Sequence, residues 1–169
     1  MGKKKQEQSG IGGDLISGLP QENQNSFFMF NFEGNQLKIT EKLTRVFKKS
    51  KELQTFSLDV DKIISIDIIT QDNIVEKQNS TFGRGVAGAL LFGPVGAIIG
   101  TSSAGSTTVN EQTGVLVFSY YGKNEEDIKT IYVSLLGSTI PYARDFITYY
   151  LKNYTNEFKE QNENGYIIL

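Results

Sequence analysis

The sequence predicts an α+β domain: an antiparallel, curved seven-stranded sheet or open barrel. A C-terminal helix caps it, and a glycine-rich helical hairpin is inserted between the fifth and sixth strands. Three observations predict this. From Phe27 onward, short runs alternate apolar and polar residues, the period of a strand with one buried face. One stretch near the C terminus spaces its apolar residues by three and four, the period of a helix. Between them lies a run that follows neither period, free of charge and dense in glycine.

Taken in order, Met1–Gln8 (MGKKKQEQ) is basic with no apolar stretch behind it, so no secretory signal is expected. Gln6 stands where an N-myristoylation motif wants Ser or Thr. Residues 1–21 are expected to be a flexible arm, its SGIGGDLISGLPQ portion a linker laying Leu15, Ile16 and Leu19 on the domain surface. The domain is placed at 22–160, with the insertion at 80–112 and a tail at 161–169.

Phe28, Phe30 and Phe32 form the first expected strand, and Glu33-Gly34-Asn35 turns the chain into Leu37 and Ile39. Thr44–Lys48 and Thr55–Leu58 are two further candidates, separated by a charged turn, Lys49-Ser50-Lys51-Glu52. Lys62–Thr70 is the strongest strand by its β-branched density, with Ile64, Ile66 and Ile68 expected on one face and Ser65 and Asp67 on the other. Val115–Tyr121 and Ile128–Leu135 read as a hairpin across Gly122–Glu126. The helix is expected to be capped by Ser138 or Thr139, with Pro141 in its first turn, where a missing N–H costs nothing. Ala143, Phe146, Ile147, Tyr150, Leu151, Tyr154 and Phe158 make its apolar stripe, and Asn162–Gly165 end it. Tyr166–Leu169 is expected to dock back as an edge strand.

The chain has 169 residues, enough for one domain, and lacks both histidine and cysteine. Ser/His/Asp and Cys/His nucleophilic machinery, disulfides and His- or Cys-ligated metal sites are thereby excluded. With 17 basic and 19 acidic residues the net charge is −2, which argues against a nucleic-acid partner. Asp59-Val60-Asp61 offers two oxygens to a divalent cation but reads better as a charged turn. Glu125, Glu126 and Asp127 read as a solvated turn, and Tyr149, Tyr150 and Tyr154 as helix packing and rim residues. No acid/base pair emerges, and neither a catalytic residue, a metal site nor a cofactor is expected.

The information is concentrated in the insertion. Gly85–Asn110 spans 26 residues without a charge, and seven of the 17 glycines lie between Gly83 and Gly105. Its centre is GVAGALLFGPVGAIIGT, Gly85–Thr101. On a helix, Gly96 and Gly100 form a G-x-x-x-G pair and Gly85 and Ala89 a small-x-x-x-small pair, smooth faces that a second helix can approach closely. Gly93-Pro94 divides the run. As one helix, Gly85–Gly100 reaches only about 24 Å, short of a bilayer core of roughly 30 Å. A bent hairpin, with arms of about 10 Å, suits a membrane interface or packing against copies of itself. The competing expectation is a loop or hairpin folded over the domain's own apolar surface. Gly83-Arg84-Gly85-Val86-Ala87-Gly88 also fits the G-x-G-x-x-G dinucleotide fingerprint, but KQNS (Lys77–Ser80) precedes it where a strand should end. The P-loop lysine is absent.

The strand-and-helix layout is similar to a pleckstrin-homology (PH)-like domain. The insertion resembles the glycine-zipper insertion of small bacterial and phage proteins with PH- or GRAM-like domains. The residues that carry this resemblance are Gly85, Gly88, Leu91, Phe92, Gly93, Pro94, Gly96, Ala97, Ile98 and Gly100. Gly18-Leu19-Pro20 and Val117-Phe118-Ser119-Tyr120 support it, and the match extends over about Gly18–Tyr154. Where relatives often follow the insertion with a basic run, this chain has Ser102–Thr108, which argues against an anionic-lipid anchor there. The resemblance implies a non-catalytic binding module. Membrane-surface contact or homo-oligomer formation is then expected through Gly85, Gly88, Ala89, Leu91, Phe92, Gly93, Pro94, Gly96, Ile98, Ile99 and Gly100. The expected place is the cytoplasm, or the inner face of its membrane. The alternative is a soluble, phage- or prophage-related adaptor for a protein partner, with the hairpin as a flexible cover.

Overall fold

The computed structural model describes residues 10–45, 48–70 and 114–155. Seven strands run β1 (Ile11–Ser17), β2 (Ser26–Glu33), β3 (Gln36–Arg45), β4 (Lys48–Asp59), β5 (Ile63–Thr70), β6 (Gly114–Tyr121) and β7 (Ile128–Leu135), followed by helix α1 (Ile140–Tyr154). They form one sheet in the order β4-β3-β2-β1-β7-β6-β5, every neighbouring pair antiparallel. The sheet folds on itself so that Phe30 of β2 stacks on Phe118 of β6, ring centroids 4.7 Å apart. The helix closes the open end. Phe32 is the hub of that closure: it lies 4.9 Å from Phe146, 5.8 Å from Tyr150 and 5.0 Å from Tyr154. Such ring pairs add about 0.5–1.5 kcal/mol each beyond the area they bury.

The expected number of strands holds, but through two offsetting differences. Residues 11–17, expected within a flexible arm, are the strand that joins the two halves of the sheet. Ile11–Gly13 pairs with β2, and Asp14–Ser17 pairs with β7 across a bulge at Leu15/Ser17. Leu15 and Leu19 pack, partly buried, against the core. The glycines that suggested a linker permit this crossing. A Cβ on Gly13 would stand 2.5 Å from both the Ser134 carbonyl oxygen and Val133 Cγ1. Gly18, at φ +105°, lies against the backbone of Thr130 and Ile131, where no side chain fits. In the other direction, Thr44–Lys48 is no separate strand. Its two ends belong to β3 and β4, and Lys49–Glu52 continues β4, with Glu52 opposite Lys42 and Lys51 opposite Leu43.

Local irregularities account for the remaining differences. A register shift between Ile63 and Ser65 turns Ile64 outward (36% exposed), so Ile63 joins Ile66 and Ile68 in the core. Thr139 does not cap α1: its backbone is already helical, ending a 3₁₀ turn at Gly137–Thr139, and its hydroxyl donates to the Leu136 carbonyl at 2.7 Å. Pro141 occupies the first turn as expected. The helix stops at Tyr154, well before Asn162–Gly165, when the Thr155 N–H closes back on the Leu151 carbonyl. Ala143, Phe146 and Tyr150 are its buried stripe. Phe158 and the Tyr166–Leu169 tail lie outside the described residues.

Candidate functional site

Thr70 and Gly114, the last residue of β5 and the first of β6, are paired Cα partners. Segment 71–113 therefore leaves and re-enters the sheet at adjacent points. Gly85, Gly88, Ala89, Leu91, Phe92, Gly93, Pro94, Gly96, Ile98, Ile99 and Gly100 all belong to that segment, as does the Gly83–Gly88 fingerprint, and lie outside the described residues. Among the described residues no helix is long and apolar enough to cross a membrane.

The charged turns have structural partners. Asn35 Nδ2 donates to Asp61 at 3.2 Å and Gln36 Nε2 to Asp59 at 3.4 Å, and the Val60 N–H donates to the Asn35 carbonyl at 3.0 Å. These bonds tie the β4–β5 turn to the β2–β3 turn around buried Val60. Among the described residues no group of three or more carboxylates is placed to hold a metal ion. In the β6–β7 turn, Asp127 accepts from the Lys123 N–H, while Asn124 accepts from Glu126 and Asp127. Tyr150 and Tyr154 pack around Phe32 and donate to the carbonyls of Ile63 and Gly34. They build the closure of the barrel.

One buried group was missed from the sequence. Glu41 continues the inward row Leu37, Ile39 of β3 and is wholly buried. Its carboxylate accepts hydrogen bonds from the Glu22 and Asn23 amides, the Ser26 hydroxyl and Gln54 Nε2, at 2.5–3.1 Å. Burial pushes the Glu41 carboxyl up, but the donors outweigh it and hold it below the ordinary glutamate value: Ser26 first, then Glu22, Gln54 and Asn23. Gln54 Nε2 also donates to the Pro20 carbonyl at 3.1 Å. Glu41 thus clamps the loop that begins with Gly18-Leu19-Pro20. The sequence signal was available: a carboxylate two residues beyond Ile39, in phase with the apolar row.

A folded seven-stranded antiparallel sheet closed by one C-terminal helix is the architecture of a PH-like domain. The chain belongs to the family of glycine zipper-containing PH domains, whose model matches residues 17–132. That span runs from the end of β1 into β7 and includes the whole of segment 71–113. PH-like domains are in general binding modules rather than catalysts. Comparison with curated proteins and with solved structures gave no match.

Proposed function

We propose that this protein is a non-catalytic binding module whose glycine-rich run, Gly85–Gly100, makes the contact, either with a membrane surface or with a second copy of the chain. The observation that supports this reading is the pairing of Thr70 with Gly114, which presents a charge-free run of 26 residues from one rim of a PH-like sheet. A second copy meets the smooth face of small residues four apart, and a membrane interface takes up the run's apolarity. Neither a cofactor nor a nucleic acid takes part, and the module works in the cytoplasm or at the inner face of its membrane.

Liposome co-sedimentation and sedimentation velocity test it, on the intact chain and on a variant with 83–108 replaced by a short Gly/Ser loop. The intact chain is expected to pellet with vesicles or to self-associate, and the variant to do neither. Equal behaviour of the two removes the run from the function. Gly96→Leu with Gly100→Leu then separates close packing from simple partitioning. Added apolarity strengthens partitioning, while the lost smooth face abolishes zipper contact, so the two mechanisms move association in opposite directions. A soluble adaptor is the second reading, supported by β4 and β5 standing at the two ends of the strand order. It predicts binding to a protein partner that survives the loop replacement.

A further inference from the structure

The sheet buries two faces where one is needed for the core. In β6, Leu116 and Phe118 point inward to Phe30 and Phe146. Val115, Val117 and Ser119 alternate to the opposite side, yet each is 0% exposed. Register extends that outward face: Ile69 lies opposite Val115, Val117 stands between Tyr132 and the half-buried Asp67, and Ser65 lies opposite Ser119. Ile69 and Tyr132 are also buried. The inward face meets β2 and α1, so the outward face looks away from both. Among the described residues no helix or strand lies over it.

Its chemistry is that of a covered surface. The hydroxyls of Ser65 and Ser119 are buried on it without a hydrogen-bond partner, a state that costs about 1–3 kcal/mol per group. Serines on a sheet face open to water would be solvated at no such cost.

We propose that the outward face of β5–β6–β7, centred on Val115, Val117 and Ser119, is the docking surface for the chain's own segment 71–113. Both ends of that segment, at Thr70 and Gly114, stand on the rim of this face. Its charge-free run matches the apolar rows, and Ser102–Thr108 supplies hydroxyls and amides of the kind Ser65 and Ser119 lack. The other two undescribed segments start elsewhere. Residues 156–169 follow a helix end whose Tyr154 hydroxyl donates to Gly34 at the β2–β3 turn. Residues 1–9 lead into Gly10 beside Asn31 of β2, and they carry three consecutive lysines. This inference concerns the free chain and goes beyond the proposed function: a membrane or a second copy competes with the sheet for the same run.

The chain has no cysteine, so introduced pairs report without background. Val117→Cys and, separately, the near-isosteric Ser119→Cys are each combined in the full chain with Ala89→Cys or Ile98→Cys. The pairs are oxidised across a dilution series without lipid. The expected product is an intramolecular disulfide whose yield is unchanged by dilution and about tenfold above that of a Ser57→Cys control, as tethering to a local seat gives. Ser57 is exposed on β4. Disulfides that join two copies and fade on dilution would assign the face to a second copy. Yields at the control level for every pair would overturn the docking outright. Neither outcome decides whether the chain binds vesicles, so failure here and failure of the proposed function are distinguishable.

Discussion

Strands β2 and β6 face each other across the core, where Phe30 stacks on Phe118, and their burial differs. Along β2, buried and half-buried residues alternate from Ser26 to Phe32, one face on the core and one toward water. Along β6 the first six residues, Gly114 to Ser119, are all buried. A strand covered on one side needs apolar residues at every second position, while one covered on both sides needs them throughout. The difference is one of faces: β2 buries one side, and β6 buries both over its first six residues.

The largest expected effect is at the shared core. Phe32→Ala removes the hub of the aromatic cluster and should cost about 3–5 kcal/mol, measured by urea denaturation. An effect under about 1 kcal/mol would mean that α1 does not close the barrel.

Next comes the clamp on the first half. Glu41→Gln puts an amide before four donors and should cost about 2–3 kcal/mol. The sign of its pH dependence follows from the lowered carboxyl value. The stabilisation is complete above the ordinary glutamate pKa of about 4.3 and is lost as pH falls through the lower folded-state value. Stability curves of wild type and Glu41→Gln should therefore converge on acidification below about pH 4. Parallel curves would sink the role of the carboxylate.

The comparison itself is sharpened by Val117→Ala. In the full chain it should cost about 2 kcal/mol, as for a buried side chain. With 83–108 replaced by a Gly/Ser loop, the domain should still melt cooperatively, and the same substitution should cost well under 1 kcal/mol. Equal costs in both backgrounds would mean that the segment does not cover the outward face. The smallest effect belongs to Thr139→Ala. Its hydroxyl bonds to Leu136 and caps no helix amide, so a loss of about 0.5 kcal/mol is expected by thermal melting, against the ~1 kcal/mol typical of a true cap.

What could be read in the sequence divides along physical lines. Strands with one wet face, such as Phe28–Phe32, announce themselves by alternation, and α1 by its stripe. Strand β1 did not, because its role is to pass close between two other backbones. That role selects Gly13 and, just beyond the strand, Gly18, residues whose composition also suits a linker. Ile64 was misplaced because a bulge shifts register without leaving a mark in the hydrophobic pattern. The glycine-rich run was legible as an anomaly of composition and charge. The outward apolar face was not recognised, since Val115 and Val117 read simply as parts of a good strand. Glu41 is hidden because a carboxylate in phase with Leu37 and Ile39 looks like the point where an apolar row meets water.

The pairing of β1 also orders events in time. Among the described strands it is made first, and its second half has no partner on one side until β7 exists. At ordinary rates of synthesis the interval between Ser17 and Ile128 is on the order of ten seconds. During it β1 to β4 can assemble, but Asp14–Ser17 remains an open edge on the nascent chain. Completion waits for β7. A product truncated before Ile128 thus displays its defect in β1, far upstream of the cut, as an unpaired strand ready to template aggregation.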